Sequence, residues 1–167
     1  MLKLSDKWKE IDMSIRSVCV LFLLLLLILS PFVASAHSSA TGVVKERMEL
    51  MSDLGKHMKT VADMMKGREP FNPVKAVEAG RFISQASPKL PPLFPEDSLK
   101  MPSEATPSVW QNWSQFEALF EELEAKSASW AEVSQAGDRD SIIQQFAIVG
   151  KVCSNCHTDF RKKNENH

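Results

Sequence analysis

The chain has 167 residues, with 20 Lys and Arg against 21 Asp and Glu and a formal net charge of −1. That balance offers no basic stripe, which excludes nucleic acid as a partner. With 44% hydrophobic residues and three cysteines, the chain can bury a one-domain core without disulfide staples.

The N-terminus follows the three-part plan of a secretory signal peptide. Lys7, Lys9 and Arg16 precede an apolar run from Val18 to Leu29, and Ala34-Ser35-Ala36 supplies a small-residue cleavage site. The run is shorter than the ~20 residues that span a bilayer comfortably. A leader over residues 1–36 and an exported, periplasmic domain over 37–167, with no stable membrane anchor after cleavage, are therefore expected. An uncleaved anchor is the alternative. Met13, followed by Ser-Ile-Arg, reads as a more natural start than Met1, which makes residues 1–12 a start-site artefact. Cys19 is filler within the apolar run.

Beyond the leader, helical periodicity recurs in four blocks and strand alternation is missing. From about Ala40 to Lys66, Val44, Met48, Met51, Leu54, Met58, Val61, Ala62 and Met65 repeat at three- and four-residue steps. Gly67, Pro70 and Pro73 close that block. Asn72-Pro73 reads as a cap and first turn for a second helix reaching about Ala86. Pro88, Pro91, Pro92, Pro95 and Pro102 then forbid a regular helix, leaving an ordered loop whose Leu90, Leu93 and Phe94 tuck against the core. Thr106-Pro107 opens a third helix with a stripe of Trp110, Trp113, Phe116, Leu119, Phe120, Leu123 and Trp130, ending at Gly137. Asp138 or Asp140 caps the fourth, which carries Ile142, Ile143, Phe146, Val149 and Val152, with Lys162 and Lys163 in its last turn. Four helices joined mostly by short connections predict an all-α fold, an antiparallel four-helix bundle.

The fourth block ends in Cys153-Ser154-Asn155-Cys156-His157, the Cys-x-x-Cys-His spacing of a c-type haem attachment site. On a helix these three side chains share one face. Two thiols placed there can each add to a haem vinyl group, and the imidazole can reach the iron as proximal ligand. A zinc site would need a second ligand pair that the remaining cysteine count does not supply. A thioredoxin-like pair belongs after a strand in a βαβ unit, a pattern missing here. A Cys153–Cys156 disulfide without haem stays open, since exported vicinal thiols tend to oxidise. One covalently bound haem c is the reading taken.

A haem motif at the end of a four-helix chain is similar to the cytochrome c-prime and cytochrome c-556 family, the class II c-type cytochromes. The markers are Arg47-x-x-x-Met51 with Gly55, Lys66-Gly67, Pro107-x-x-Trp110, and Cys153-x-x-Cys156-His157-x-x-Phe160-Arg161. Leu90-Pro91-Pro92-Leu93-Phe94-Pro95 resembles the Pro-rich loop of the c-556 branch. The resemblance implies that Met51 faces the distal side of the iron. It also implies that Arg47 pairs with a haem propionate and that Arg161 packs beside the proximal imidazole of His157. In the c-556 branch a methionine completes six-coordinate iron and the protein carries electrons. In the c-prime branch the iron is five-coordinate and binds nitric oxide or carbon monoxide. Met48 and Met58 are secondary candidates for the distal position. His57, six residues past Met51, points away from that face and reads as a surface histidine, while His37 and His167 are terminal.

The expected function is therefore single-electron transfer through Fe(III)/Fe(II) with His157 and Met51 as ligands, without enzymatic chemistry, toward unidentified redox partner proteins. Gas binding at a five-coordinate haem and a haem-free disulfide protein are the rivals. Family members often pair through their first two helices, and the sequence leaves monomer and homodimer equally open.

Overall fold

The computed structural model describes residues 40–163. The expected leader, the start-site reading, Cys19, His37 and His167 lie outside them. Helix α1 (Gly42–Met65) is followed by α2 (Pro73–Ala86), the one-turn α3 (Ser108–Gln111), α4 (Trp113–Ser134) and α5 (Arg139–Phe160). The four long helices form the antiparallel bundle expected from the periodicity, and the described residues contain no strands.

The α2–α4 contact is the most extensive in the bundle. Its cause is legible in α2, whose buried face is Ala76, Ala79, Gly80, Ile83 and Ala86. Small side chains at three- and four-residue spacing let the two backbones approach. At Gly80 a Cβ would lie 2.8 Å from both Ala131 N and Ser127 O, so only glycine fits. Trp130, Phe116, Ile83, Leu90 and Ile142 are fully buried, and each such side chain contributes about 1.5–3 kcal/mol relative to exposure. By contrast, α1 and α5 touch only lightly. That gap positions the site.

The helix starts follow the capping chemistry. The Asn72 side chain accepts from Val74 N at 3.0 Å with Pro73 in the first turn. Asp138, rather than Asp140, caps α5, accepting from Ser141 N at 2.8 Å. The third block departs from expectation. Instead of one helix opened by Thr106-Pro107, the chain makes the α3 turn, breaks at Asn112 (φ −128°, ψ 44°) and restarts at Trp113. Trp110 Nε1 donates to Phe94 O at 2.9 Å, tying the α3 turn to the Pro-rich loop. The Thr106 hydroxyl does not cap it and is buried without a partner.

The Pro-rich loop is ordered and packed, with Leu90, Leu93 and Phe94 buried as expected. Two short 3-10 turns, Ser87–Lys89 and Pro91–Leu93, carry it. The end of α5 differs from the sequence reading. The helix stops at Phe160, and Arg161 is extended in an isolated antiparallel bridge with Ala105. Thr106 N donates to Phe160 O at 2.9 Å, and Lys162 N to Glu104 O at 2.8 Å. Lys162 and Lys163 thus lie past the helix. No described helix is long and apolar enough to cross a membrane.

Candidate functional site

Two adjoining cavities of about 670 and 320 Å3 open where α1 and α5 separate. They share Met51, Gly55, Cys156 and His157 as lining residues. Their sizes fall within the ~300–1,000 Å3 typical of cofactor sites. The smaller is walled by Leu54, Met58, Leu119, Phe120, Leu123, Val152 and Cys153. The larger is bounded by Arg47, Met48, Phe94, Phe116, Phe160 and Arg161 with the Pro102–Ala105 segment. Phe116 holds this end together, its ring centroid 4.9 Å from Phe94, 5.0 Å from Phe120 and 5.1 Å from Phe160.

The helical register of α5 brings Cys153, Cys156 and His157 to this space, as the one-face argument required. Both cysteines are free and half-buried. Burial raises the Cys153 thiol, and burial together with the charges of Cys153 and Asp159 pushes Cys156 up to about 12. Both therefore rest as neutral thiols, unlike the depressed thiolates of disulfide oxidoreductases. Burial lowers the His157 pKa, Arg161 lowers it further, and Glu104 opposes them. The net direction favours the neutral imidazole, the form that donates a nitrogen lone pair to a metal. Among the described residues no group of three or more His, Cys, Asp or Glu converges as a metal site, so the zinc alternative finds no ligand set.

Of the first-helix methionines, Met51 borders both cavities, whereas Met48 borders only the larger and Met58 only the smaller. Met48 is 42% exposed. His57 lines neither cavity; its ring stacks on Phe82 at 4.2 Å.

Arg47 stands in the cavity wall at 4% exposure. Its Nη1 donates to Leu93 O at 3.1 Å and Ser98 Oγ at 2.7 Å, and its Nη2 to Ser98 O and Ser103 Oγ, both at 2.5 Å. The guanidinium also lies 4.7 Å from the Phe94 ring centroid. Only Nε–H is left uncommitted, and no carboxylate among the described residues pairs with the buried charge. Arg161 lies at the mouth, where its Nε donates to Glu104 Oε2 at 2.6 Å and Nη2 contacts the same oxygen. Glu104, Ser98 and Ser103 escaped the sequence reading because nothing in their local pattern marks a residue that becomes functional only when a loop folds over α1.

The donor set, the neutral thiols and imidazole, and the apolar cavity between α1 and α5 fit a haem. A four-helix bundle built this way defines a c-type cytochrome of the bundle class. Comparison with known proteins agrees. A family profile described as Cytochrome C' matches residues 42–161. The chain is 32% identical to cytochrome c' of Rhodopseudomonas palustris, over 74% of this chain and 84% of that protein. To cytochrome c-556 of the same organism it is 28% identical, over 78% of this chain and 89% of that protein. The solved structure of R. palustris cytochrome c' superimposes with a TM-score of 0.71 at 30% identity, covering 75% of this chain and 100% of that one. The chain belongs to the cytochrome c' family, and haem c is its cofactor.

Proposed function

We propose that this protein is an exported, one-electron carrier of the c-556 kind rather than an enzyme. In this reading Cys153 and Cys156 hold one haem, and His157 and Met51 are its proximal and distal ligands. The observation that carries it is the placement of Met51, the first-helix methionine that borders both cavities together with Cys156 and His157. When bound, the haem supplies an iron couple that accepts and returns one electron.

The chain's own groups favour the reduced form. A thioether is a soft, neutral ligand that prefers ferrous iron and raises the potential. Arg47 places a positive charge without a carboxylate partner in the wall, which favours a site that has gained an electron, whereas the Arg161 charge at the mouth is already paired with Glu104. Arg47 retains its Nε–H and its charge for a propionate, while its four other N–H groups hold the loop. Phe94, Phe116 and Phe160 give the same end an apolar wall. Export would follow from the N-terminal segment, and redox proteins are the partners.

A five-coordinate, gas-binding haem is the second reading, supported by the higher identity to the R. palustris cytochrome c' than to its c-556. Optical spectra of the loaded protein separate the two. Six-coordinate, low-spin bands with a sulfur-to-iron charge-transfer feature, lost in Met51→Ala, are expected. High-spin bands with ready carbon monoxide binding in the wild type, or an unchanged Met51→Ala spectrum, would refute the Met51 assignment.

A further inference from the structure

The chain has six glycines, and four of them have a reason within the polypeptide. Gly42, Gly67 and Gly137 adopt positive φ, and Gly80 admits no Cβ against α4. Gly55 and Gly150 have neither reason. Gly55 sits mid-helix in α1, where glycine is less favourable than alanine, yet a Cβ there would meet nothing within 4 Å. Gly150 sits in α5 one turn before Cys153, and its Cβ would meet only Met58 Cε at 3.8 Å, an ordinary contact. The protein alone would tolerate alanine at both.

Both glycines line the same apolar cavity, one from each of the two helices that separate around it. Gly55 also borders the larger cavity, one turn along from Met51. We infer that Gly55 and Gly150 are clearance positions, keeping the facing backbones of α1 and α5 bare so that a flat porphyrin can lie against both. Carbon atoms pack at about 3.5–4.0 Å, so a single added Cβ on either wall displaces a planar group by a large part of its own thickness. The two positions would then decide which planar group the cavity accepts and how closely Met51 and His157 approach it.

This rests on haem occupancy but not on Met51 ligation, and the test keeps the two apart. The full chain is produced with cytochrome c maturation machinery as wild type, Gly55→Ala, Gly55→Leu, Gly150→Ala, Gly150→Leu and, as a packing control, Gly80→Ala. Covalent haem per chain, optical spectra and helical circular dichroism are read for each. The leucine variants should keep their helical signal and lose the wild-type haem spectrum, because an overpacked wall unseats the attached haem from between α1 and α5. The alanine variants at 55 and 150 should load haem but shift its spectrum. Gly80→Ala should lower the unfolding midpoint and leave the spectrum of the folded fraction unchanged. Full loading with wild-type spectra in the leucine variants, or unshifted spectra in both alanine variants, would overturn the inference. A wild-type chain with no haem adduct would sink the haem reading itself, and the clearance argument with it.

Discussion

Truncating Arg47 tests how the cavity end is held closed. Arg47→Ala removes four hydrogen bonds of 2.5–3.1 Å from a side chain only 4% exposed, and strips the cation from the Phe94 face. A hydrogen bond to a charged group contributes about 1.5–3 kcal/mol, and breaking a buried charged network by deleting one member costs about 3–5 kcal/mol. Burial already disfavours the guanidinium, lowering its pKa, and truncation returns that cost. The net loss should therefore fall near the lower end, about 3 kcal/mol. Urea unfolding of the haem-loaded protein reads this directly. With a slope of about 1–3 kcal/mol per molar, the midpoint should drop by roughly 1 M or more. Arg47→Lys keeps the charge but loses the planar fork, so its midpoint should fall between the two. Hydrogen exchange should rise across residues 93–103, which lose their anchor. A loss below about 0.5 kcal/mol, within the range of a surface substitution, would refute the role of Arg47 as the clasp of this loop.

Gly80→Ala should destabilise by about 1–3 kcal/mol, because its Cβ meets backbone rather than a movable side chain; thermal unfolding checks it. The Asp138 carboxyl is held below its ordinary pKa by hydrogen bonds to Ser141. Since its folded pKa lies under the unfolded one, its stabilising contribution is present above about pH 4 and is lost as pH falls through the folded value. The unfolding midpoints of wild type and Asp138→Ala should therefore differ at neutral pH and converge in acid. A constant gap would place the effect elsewhere.

The elements were legible where local chemistry decides them. Asn72-Pro73 and Asp138 mark helix starts because their side chains satisfy backbone N–H groups next to them in sequence. The Cys-x-x-Cys-His spacing shares one helix face whatever the helix packs against. The failures fall where a distant segment competes with local pattern. Thr106-Pro107 reads as a helix start, but Trp110 bonds to Phe94 O and the helix breaks at Asn112. Lys162 and Lys163 suit a last turn, but pairing between Ala105 and Arg161 draws the chain out of the helix.

The periodicity, the caps and the haem motif are written in the chain because each depends on residues within a turn or two of one another. What only the tertiary structure decided is the far side of the site: that Met51 borders both cavities, that Arg47 spends its hydrogen bonds on Ser98 and Ser103, and that Glu104 meets Arg161. These residues are separated by dozens of positions. Only the gap between α1 and α5, and the loop folded across its end, brings them together.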